Sequence, residues 1–120
     1  MITTKALAIR NRPDQLAITT TFSVNGNVKS KQEIFQSYGK TIAKIKTFYE
    51  GTKFLCGKII EERTQVYLDK NYWDYSNTTG KYRNIFLGEP KKDTVKQIKI
   101  KNYELVDLNQ WIRENLSSIW

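Results

Sequence analysis

The 120 residues suit a single domain, 1–120, and leave no room for a second independent hydrophobic core. With 39% hydrophobic residues, three Trp, seven Tyr and five Phe, the composition excludes an intrinsically disordered chain. The net charge of +8, from 20 Lys and Arg against 12 Asp and Glu, favours a polyanionic or acidic partner, although a lysine-rich soluble surface gives the same balance.

The first 33 residues are predicted to form antiparallel β hairpins. The segments Ile2–Ile9 and 16–24 are rich in Thr, Ile, Val and Phe, which favours strands, and the turn-prone residues 11–14 separate them. Asn25-Gly26 then favours a type I′ turn, because both residue types accept positive φ angles.

Residues 34–68 are predicted to add further strands to the same sheet. Along 34–46 the pattern alternates, with Lys40, Lys44 and Lys46 on one side, which is typical of a strand. A turn at 50–51 and a charged link at 61–63 are expected to separate two more strands, 53–60 and 64–68.

The last third of the chain changes to helical spacing. Ser76 or Asn77 is expected to cap a first helix, which ends at Gly88 with Pro90 just beyond. The apolar face of this helix consists of Tyr82, Ile85 and Phe86.

A second, shorter helix is predicted after Pro90. Asp93 or Thr94 is expected to cap it. The side chains expected to face inward are Val95 and Ile98, and those expected to face outward are Lys96 and Lys99. A return strand at Tyr103–Val106 is expected to follow.

Residues 108–120 are predicted to form a C-terminal amphipathic helix. Its apolar stripe consists of Leu108, Trp111, Ile112, Leu116 and Ile119. Such a helix either closes the domain or provides a homodimer contact, since Trp residues are good anchors. Together the elements predict an α+β fold, with an antiparallel sheet of about five or six strands in the N-terminal two-thirds packed with two or three helices in the C-terminal third.

The residue patterns of several common protein classes are missing. The chain has no histidine, and its single cysteine, Cys56, lies in an apolar run that favours a buried thiol. The nearest carboxylate groups, 61–62 and Asp69 with Asp74, lack the spacing of an acid/base pair or a Mg²⁺ clamp, so these side chains are expected to be solvated. We therefore predict no catalytic residue, cofactor or metal. Without a membrane-length apolar run or a signal-peptide core, we expect a cytoplasmic protein with no membrane partner.

Thr79-Gly80-Lys81 is similar to the end of a phosphate-binding loop, since Gly-Lys at a helix start places backbone N–H groups and an ammonium near an anion. The full motif would need Gly at position 75 and Ser or Thr at position 82, and both are Tyr. Two interpretations remain: ordinary capping by Ser76, or one backbone phosphate held at this helix N-terminus.

Aromatic and cationic side chains lie close together in sequence around the start of the first helix. They are Lys70, Tyr72, Trp73, Tyr75, Lys81, Tyr82 and Arg83. Aromatic faces could stack on bases while the cations contact phosphates, but core packing competes for the same aromatics. If the segment is extended, Trp73 and Tyr75 share one side. We therefore expect both to be buried and Tyr72 to stay partly exposed.

A basic surface is predicted between residues 81 and 101. Its nucleic-acid-binding residues are Lys81, Arg83, Lys91, Lys92, Lys96, Lys99 and Lys101, with Tyr72 as an aromatic contact. Lys92, Lys96 and Lys99 follow the i, i+4, i+7 spacing of one helix face, so their charges converge if the helix begins early enough. A solvated helix face is the alternative interpretation.

Two sequence motifs carry a family resemblance. S-Y-x-x-T-I-A-K begins at residue 37, and W-D-Y-S-x-T-T-G-K-Y-R-N-x-F-L-G begins at residue 73, with V-Y-L between them at 66–68. These motifs resemble a small domain of unknown function from proteins of phages and other mobile elements, over residues 34–109. The β hairpins of 1–33 and the C-terminal helix lie outside the resemblance.

The resemblance implies a non-enzymatic accessory protein and carries over no catalytic residue. Small basic phage proteins commonly act on DNA, RNA or host machinery. The first expected function is nucleic-acid binding through the basic surface. The alternative is inhibition of a host defence enzyme, in the manner of an anti-CRISPR protein, by binding to an acidic or nucleic-acid-binding surface of that host protein.

Overall fold

The computed structural model describes residues 1–54 and 57–110, and of residues 51–54 and 57–61 it describes the backbone alone. Within this part the chain forms six strands and two helices. In chain order they are β1 Ile2–Ile9, β2 Arg12–Val24, β3 Asn27–Ser37, β4 Lys40–Phe54, β5 Gly57–Asp69, α1 Asn77–Leu87, α2 Lys91–Lys99 and β6 Tyr103–Val106. The strands pair in sequence order within one sheet. Of the predicted C-terminal helix, 108–120, with its homodimer alternative, residues 111–120 lie outside the described part of the chain.

The sheet is mixed, so the prediction of an antiparallel sheet is wrong. Strands β1 to β5 pair antiparallel, but β6 pairs parallel to β5 in register from Val66↔Tyr103 to Asp69↔Val106. The cause is the connection through α1 and α2, which brings the chain back beside the last four residues of β5, so that β6 runs in the same direction as β5. The α+β character and the placement of the helices after the five long strands agree with the sequence.

Three hairpin turns place two consecutive residues at positive φ, as type I′ turns require. The turn at Asn25-Gly26, with φ of 52° and 76°, confirms the sequence prediction. The turn at Arg10-Asn11 lies one residue before the predicted one, so β2 starts at Arg12.

The third of these turns, at Tyr38-Gly39, divides the strand predicted over 34–46 into β3 and β4. Tyr38 has φ of 51°, a left-handed conformation that costs a bulky residue about 1–2 kcal/mol. Because tyrosine disfavours this conformation, its presence in the sequence does not predict a turn. The long pairing of β3 with β4 provides the compensating stability.

Strands β4 and β5 form one long hairpin. They pair without a register shift from Ala43↔Leu68 to Phe54↔Gly57. The predicted turn at 50–51 and the predicted link at 61–63 are therefore wrong, since both lie inside paired strands. Cys56 lies outside the described residues.

A β-bulge in β4 changes which face its lysines occupy. The pairing with β3 shifts register at Ile42, which has no partner across the strands and is buried in the core. Because the extra residue reverses the alternation, Lys40 lies on the helix side, with its Nζ 5.5 Å from the ring centroid of Tyr72, and Lys44 lies on the other side. The prediction that Lys40 and Lys44 share one side is wrong.

The hydrophobic core lies on one face of the sheet, at the end that the helices cover. Its buried members are Phe35, Ile42, Ala43, Leu68 and Tyr82. Phe86 of α1 stacks on Phe35 with ring centroids 5.7 Å apart. The hydroxyls of Ser37 and Thr79 share a buried hydrogen bond of 2.9 Å, which fixes α1 along β3.

Beyond the helices the strands extend as hairpin arms, which we define as residues 2–5, 19–32 and 46–50. The large apolar side chains exposed there are Ile2, Phe22, Val24 and Val28. The arms are held by strand pairing and cross-strand contacts.

Asp69 joins the three segments that meet at the end of β5. Its carboxylate is buried and accepts hydrogen bonds from the backbone N–H groups of Asn71, Tyr72 and Leu108 at 2.8–3.0 Å. A fourth bond comes from the Asn109 amide, which also pairs with the backbone of Thr41. Asp69 is therefore a structural acceptor that positions the loop leading into α1, and the prediction that it is solvated is wrong.

Candidate nucleic-acid interface

Helix α1 begins and ends where the sequence predicts. The Ser76 hydroxyl accepts a hydrogen bond from the backbone N–H of Thr79 at 3.1 Å, so Ser76 is the N-cap. Gly88, with φ of 71°, ends the helix in the left-handed conformation and donates its N–H to the carbonyl of Asn84. Both signals are local, which is why the sequence alone locates them.

The aromatic residues before α1 do not follow the predicted alternation. Backbone hydrogen bonds from Trp73 to Asp69 and from Tyr75 to Tyr72 fold this segment into turns, so the extended pattern does not apply. Tyr75 is 63% exposed, and the prediction of its burial is wrong. Trp73 and Tyr72 are half-buried against the core, and Tyr72 contacts Tyr75 edge to face at 5.5 Å.

Arg83 is a buried structural residue, so its predicted place on the basic surface is wrong. Its side chain is 1% exposed. Its Nη1 donates to the Trp73 carbonyl at 2.7 Å and its Nη2 donates to Asn84 Oδ1 at 3.0 Å. The guanidinium also lies 5.2 Å from the Trp73 ring, a cation–π contact. Trp73 lies in the loop ten residues earlier, and helical spacing cannot predict its contacts with Arg83.

Asp74 links Arg83 to the start of α2. Its carboxylate lies 3.2 Å from Arg83 Nη1 and 2.6 Å from Lys91 Nζ. Partial burial opposes ionisation of this carboxyl, but the hydrogen bonds and charges of Lys91 and Arg83 outweigh it and hold the Asp74 pKa below its usual value. Asp74 is therefore ionised at neutral pH and ties Lys91 to the base of α1.

A cleft opens beside the N-terminal half of α1, and we call it the α1 cleft. Its lining consists of Arg10, Asp74, Ser76, Asn77, Gly80, Lys81, Arg83, Asn84, Ile85 and Lys91. Of the predicted nucleic-acid-binding residues, the structure brings Lys81 and Lys91 together here, with Arg83 buried beneath. Arg10 was missed by the sequence reasoning, because a tight turn at the far end of the chain brings it to this position.

Helix α2 begins at Lys91, directly after Pro90, so neither Asp93 nor Thr94 is its cap. Thr94 is instead buried inside the helix. The early start places Lys92, Lys96 and Lys99 within one helix at the predicted spacing, and all three are exposed. We call these three residues the α2 lysine row. Val95 and Ile98 are half-buried, as predicted.

Lys101 lies apart from the α1 cleft. It is exposed just after α2 and lines a shallow cavity at the sheet edge with residues that include Gln65 and Tyr67. The predicted basic surface is therefore divided. The α1 cleft holds Lys81 and Lys91, the α2 lysine row follows Lys91 in sequence, and Lys101 faces the β5–β6 edge.

The sheet face opposite α1 carries cation–π pairs that the sequence reasoning missed. Lys44 Nζ lies 5.3 Å from the Tyr67 ring, and the Arg63 guanidinium lies 5.2 Å from the Phe48 ring. Burial and the neighbouring charge of Lys46 lower the pKa of Lys44. Each pair joins β4 to β5 at directly opposite positions, so finding it requires the strand register.

Among the side chains that the structure describes, those of residues 1–50 and 62–110, no group of three or more Cys, Asp or Glu is arranged to hold a metal ion. No helix of the described part is both long and apolar enough to cross a membrane. The main feature of this surface is its positive charge. Exposed lysines of α1 and α2 lie next to a cleft whose floor is the buried Arg83.

Comparison with protein families matches most of the chain. No curated protein and no solved structure matches the chain. The family match covers residues 9–102, so it starts before β2 and includes strands that lie outside the predicted resemblance. The prediction of a small domain of unknown function is confirmed, and the chain belongs to a family of unknown function, DUF8033.

Proposed function

We propose that this chain is a small, non-enzymatic accessory protein of a phage or other mobile element that binds nucleic acid in the cytoplasm of the host cell. The observation that supports nucleic-acid binding best is the α2 lysine row. Lys92, Lys96 and Lys99 are exposed on one helix, and in the described part of the chain none of them forms an ion pair. Unpaired exposed ammonium groups are available to phosphates.

The length of the row suits a nucleic-acid backbone. From Lys92 to Lys99 the helix rises about 10 Å, at roughly 1.5 Å per residue. Successive phosphates of one strand are about 3.4 Å apart along a duplex axis, so the row spans about three of them. Lys81 and Lys91 extend the positive charge toward the α1 cleft.

Fluorescence anisotropy with labelled single-stranded DNA, RNA and duplex DNA at low salt tests the proposal. Wild-type protein is expected to bind at least one of them. Reversing the row with Lys92→Glu, Lys96→Glu and Lys99→Glu should weaken binding by a factor of about 100 or more, because three phosphate contacts become repulsive. Undetectable binding by the wild type, or an unchanged affinity of the triple variant, contradicts the proposal.

A second function, inhibition of a host defence enzyme by protein–protein binding, is favoured by the hairpin arms. Their exposed apolar side chains, among them Phe22 and Val24, lie on strands that no helix of the described part covers. Exposed apolar side chains grouped on one region are typical of interaction surfaces.

Affinity capture from host lysate after nuclease treatment discriminates between the two functions. A stoichiometric protein that wild type captures and the variant Phe22→Asp does not would support the inhibitor. A partner that nuclease treatment removes would support nucleic-acid binding instead. The variant Lys5→Asp, on the neighbouring strand, is the control for a charge change on the arms.

A further inference from the structure

The α1 cleft combines positive charge contributed by separate elements. Arg10 comes from the β1–β2 turn, Lys81 and Arg83 from α1, and Lys91 from α2. Asp74, which Arg83 and Lys91 hold, is the acid in its lining. Four cations against one carboxylate give the described lining a net charge of +3, which suits a dianion better than a monoanion.

The floor of the cleft is unfilled at Gly80, which faces the guanidinium of Arg83. A Cβ at this position would lie 3.7 Å from Arg83 Nη2 and 3.8 Å from Nη1, ordinary van der Waals distances, so a methyl group fits there. Gly is less favourable than Ala inside a helix. Packing and helix stability therefore give no reason for Gly at this position, whereas an open floor above a cation does.

Two further features point to an anion. The Arg83 side chain lines the cleft and is 99% buried. Its Nε–H has no hydrogen-bond acceptor among the described residues. The first turn of α1 contains no acidic residue, so no carboxylate within that turn offsets the partial positive charge of this helix N-terminus.

We propose that the α1 cleft binds the terminal phosphate of a nucleic-acid strand. A phosphate monoester carries close to two negative charges at neutral pH, whereas each internal phosphodiester carries one. This inference rests on the proposed nucleic-acid function and adds an end preference to it. Lys81 and Lys91 contact the terminal phosphate, and the phosphates that follow run along the α2 lysine row, which begins next to Lys91 in the same helix.

The test compares the affinity of the protein for oligonucleotides of one sequence that end in a 5′-phosphate, a 3′-phosphate or hydroxyls at both ends. Wild type is expected to bind one phosphorylated form about tenfold more tightly than the hydroxyl form. Gly80→Ala keeps every charge and places a methyl over the floor, so it should remove this preference while its melting temperature stays equal or rises by a few degrees. Lys92→Ala, outside the cleft, should lower the affinities for the phosphorylated and the hydroxyl-ended oligonucleotides by the same factor, so the preference stays.

The outcomes separate the two proposals. Tight binding without any end preference in wild type, or a preference that survives in Gly80→Ala, overturns the cleft inference and leaves nucleic-acid binding intact. If no oligonucleotide binds, the proposed function fails, and NMR titration with inorganic phosphate decides the cleft alone. Shifts of the Gly80 and Lys81 amides that Gly80→Ala weakens would support a phosphate site, and unshifted amides at millimolar phosphate would overturn it.

Discussion

At the end of the sheet that α1 and α2 cover, several polar and charged side chains are buried and form specific hydrogen bonds, whereas on the hairpin arms apolar side chains are exposed. Asp69, Arg83 and Asn109 belong to the covered end, and Phe22 and Val28 belong to the arms. The covered end thus takes its geometry from specific polar contacts, and the arms take theirs from strand pairing.

This contrast separates two roles of positive charge within a few residues of one helix. Arg83 is immobilised by the loop before α1, and Lys81, two residues earlier, is exposed on the cleft. The sequence alone assigns Arg83 and Lys81 to one basic surface, but only Lys81 is exposed and available to a partner. Substitutions at the two ends measure how far their stabilities differ.

The largest difference is expected between two phenylalanines. Phe35→Ala should lower the free energy of unfolding by about 4 kcal/mol, because it leaves a cavity in the core under Phe86. Phe22→Ala, on an arm where its side chain is 41% exposed, should cost about 1 kcal/mol or less. Urea denaturation followed by tryptophan fluorescence measures both. Equal losses would mean that the arms contribute to the core.

Removal of a buried carboxylate should cost nearly as much. Asp69→Ala leaves the N–H groups of Asn71, Tyr72 and Leu108 without their acceptor, so we expect a loss of about 3 kcal/mol or more. Asp14→Ala, which removes an exposed ion pair with Arg12, is the matched control and should cost less than about 1 kcal/mol. Similar values for both variants would refute the structural role of Asp69.

The structural role of Arg83 predicts that lysine cannot replace it. Arg83→Lys keeps the charge, but a single ammonium cannot replace the two guanidinium nitrogens that donate to the Trp73 carbonyl and to Asn84. The free energy of unfolding should therefore fall by about 2 kcal/mol. Lys81→Arg, on the exposed side of the same helix, should change stability by less than about 0.5 kcal/mol. Thermal unfolding monitored by circular dichroism compares the two. A tolerated Arg83→Lys would show that charge alone matters at this position.

The smallest effect should come from the Asp74 ion pairs. Since the folded-state pKa of Asp74 is depressed, its contribution is present above the unfolded pKa of about 4 and is lost as pH falls through the lower folded value. Asp74→Asn should therefore cost about 0.5–1 kcal/mol at pH 7, and the difference from wild type should vanish at acidic pH, below the usual Asp range. Unfolding curves across this pH range give the answer. A difference that persists unchanged in acid would rule out the ion pairs as its cause.

The parts of the structure that the sequence predicts correctly depend on neighbouring residues. The cap at Ser76, the stop at Gly88 and the Asn25-Gly26 turn each follow from a few adjacent side chains. The i, i+4, i+7 spacing of the α2 lysines is local in the same sense, although the cap expected for that helix was misplaced.

The parts that the sequence does not predict depend on distant contacts. The turn at Tyr38 needs a conformation that its residue type disfavours, and strand pairing decides it. The burial of Arg83 depends on the Trp73 carbonyl, and the position of Arg10 at the cleft depends on the first hairpin. The parallel β6 likewise depends on how two helices pack before the chain returns.

The central claim, that the exposed lysines of the helical end bind phosphates and the arms do not, is tested most directly by the salt dependence of nucleic-acid affinity. Replacing Lys92, Lys96 and Lys99 by Ala should make the slope of log affinity against log salt shallower by about 2 for a single strand, at roughly 0.7 per phosphate contact. Replacing Lys5, Lys29 and Lys31 on the arms removes the same charge and should leave the slope unchanged. Equal changes of slope in both triple variants, or none in the α2 variant, would contradict the account.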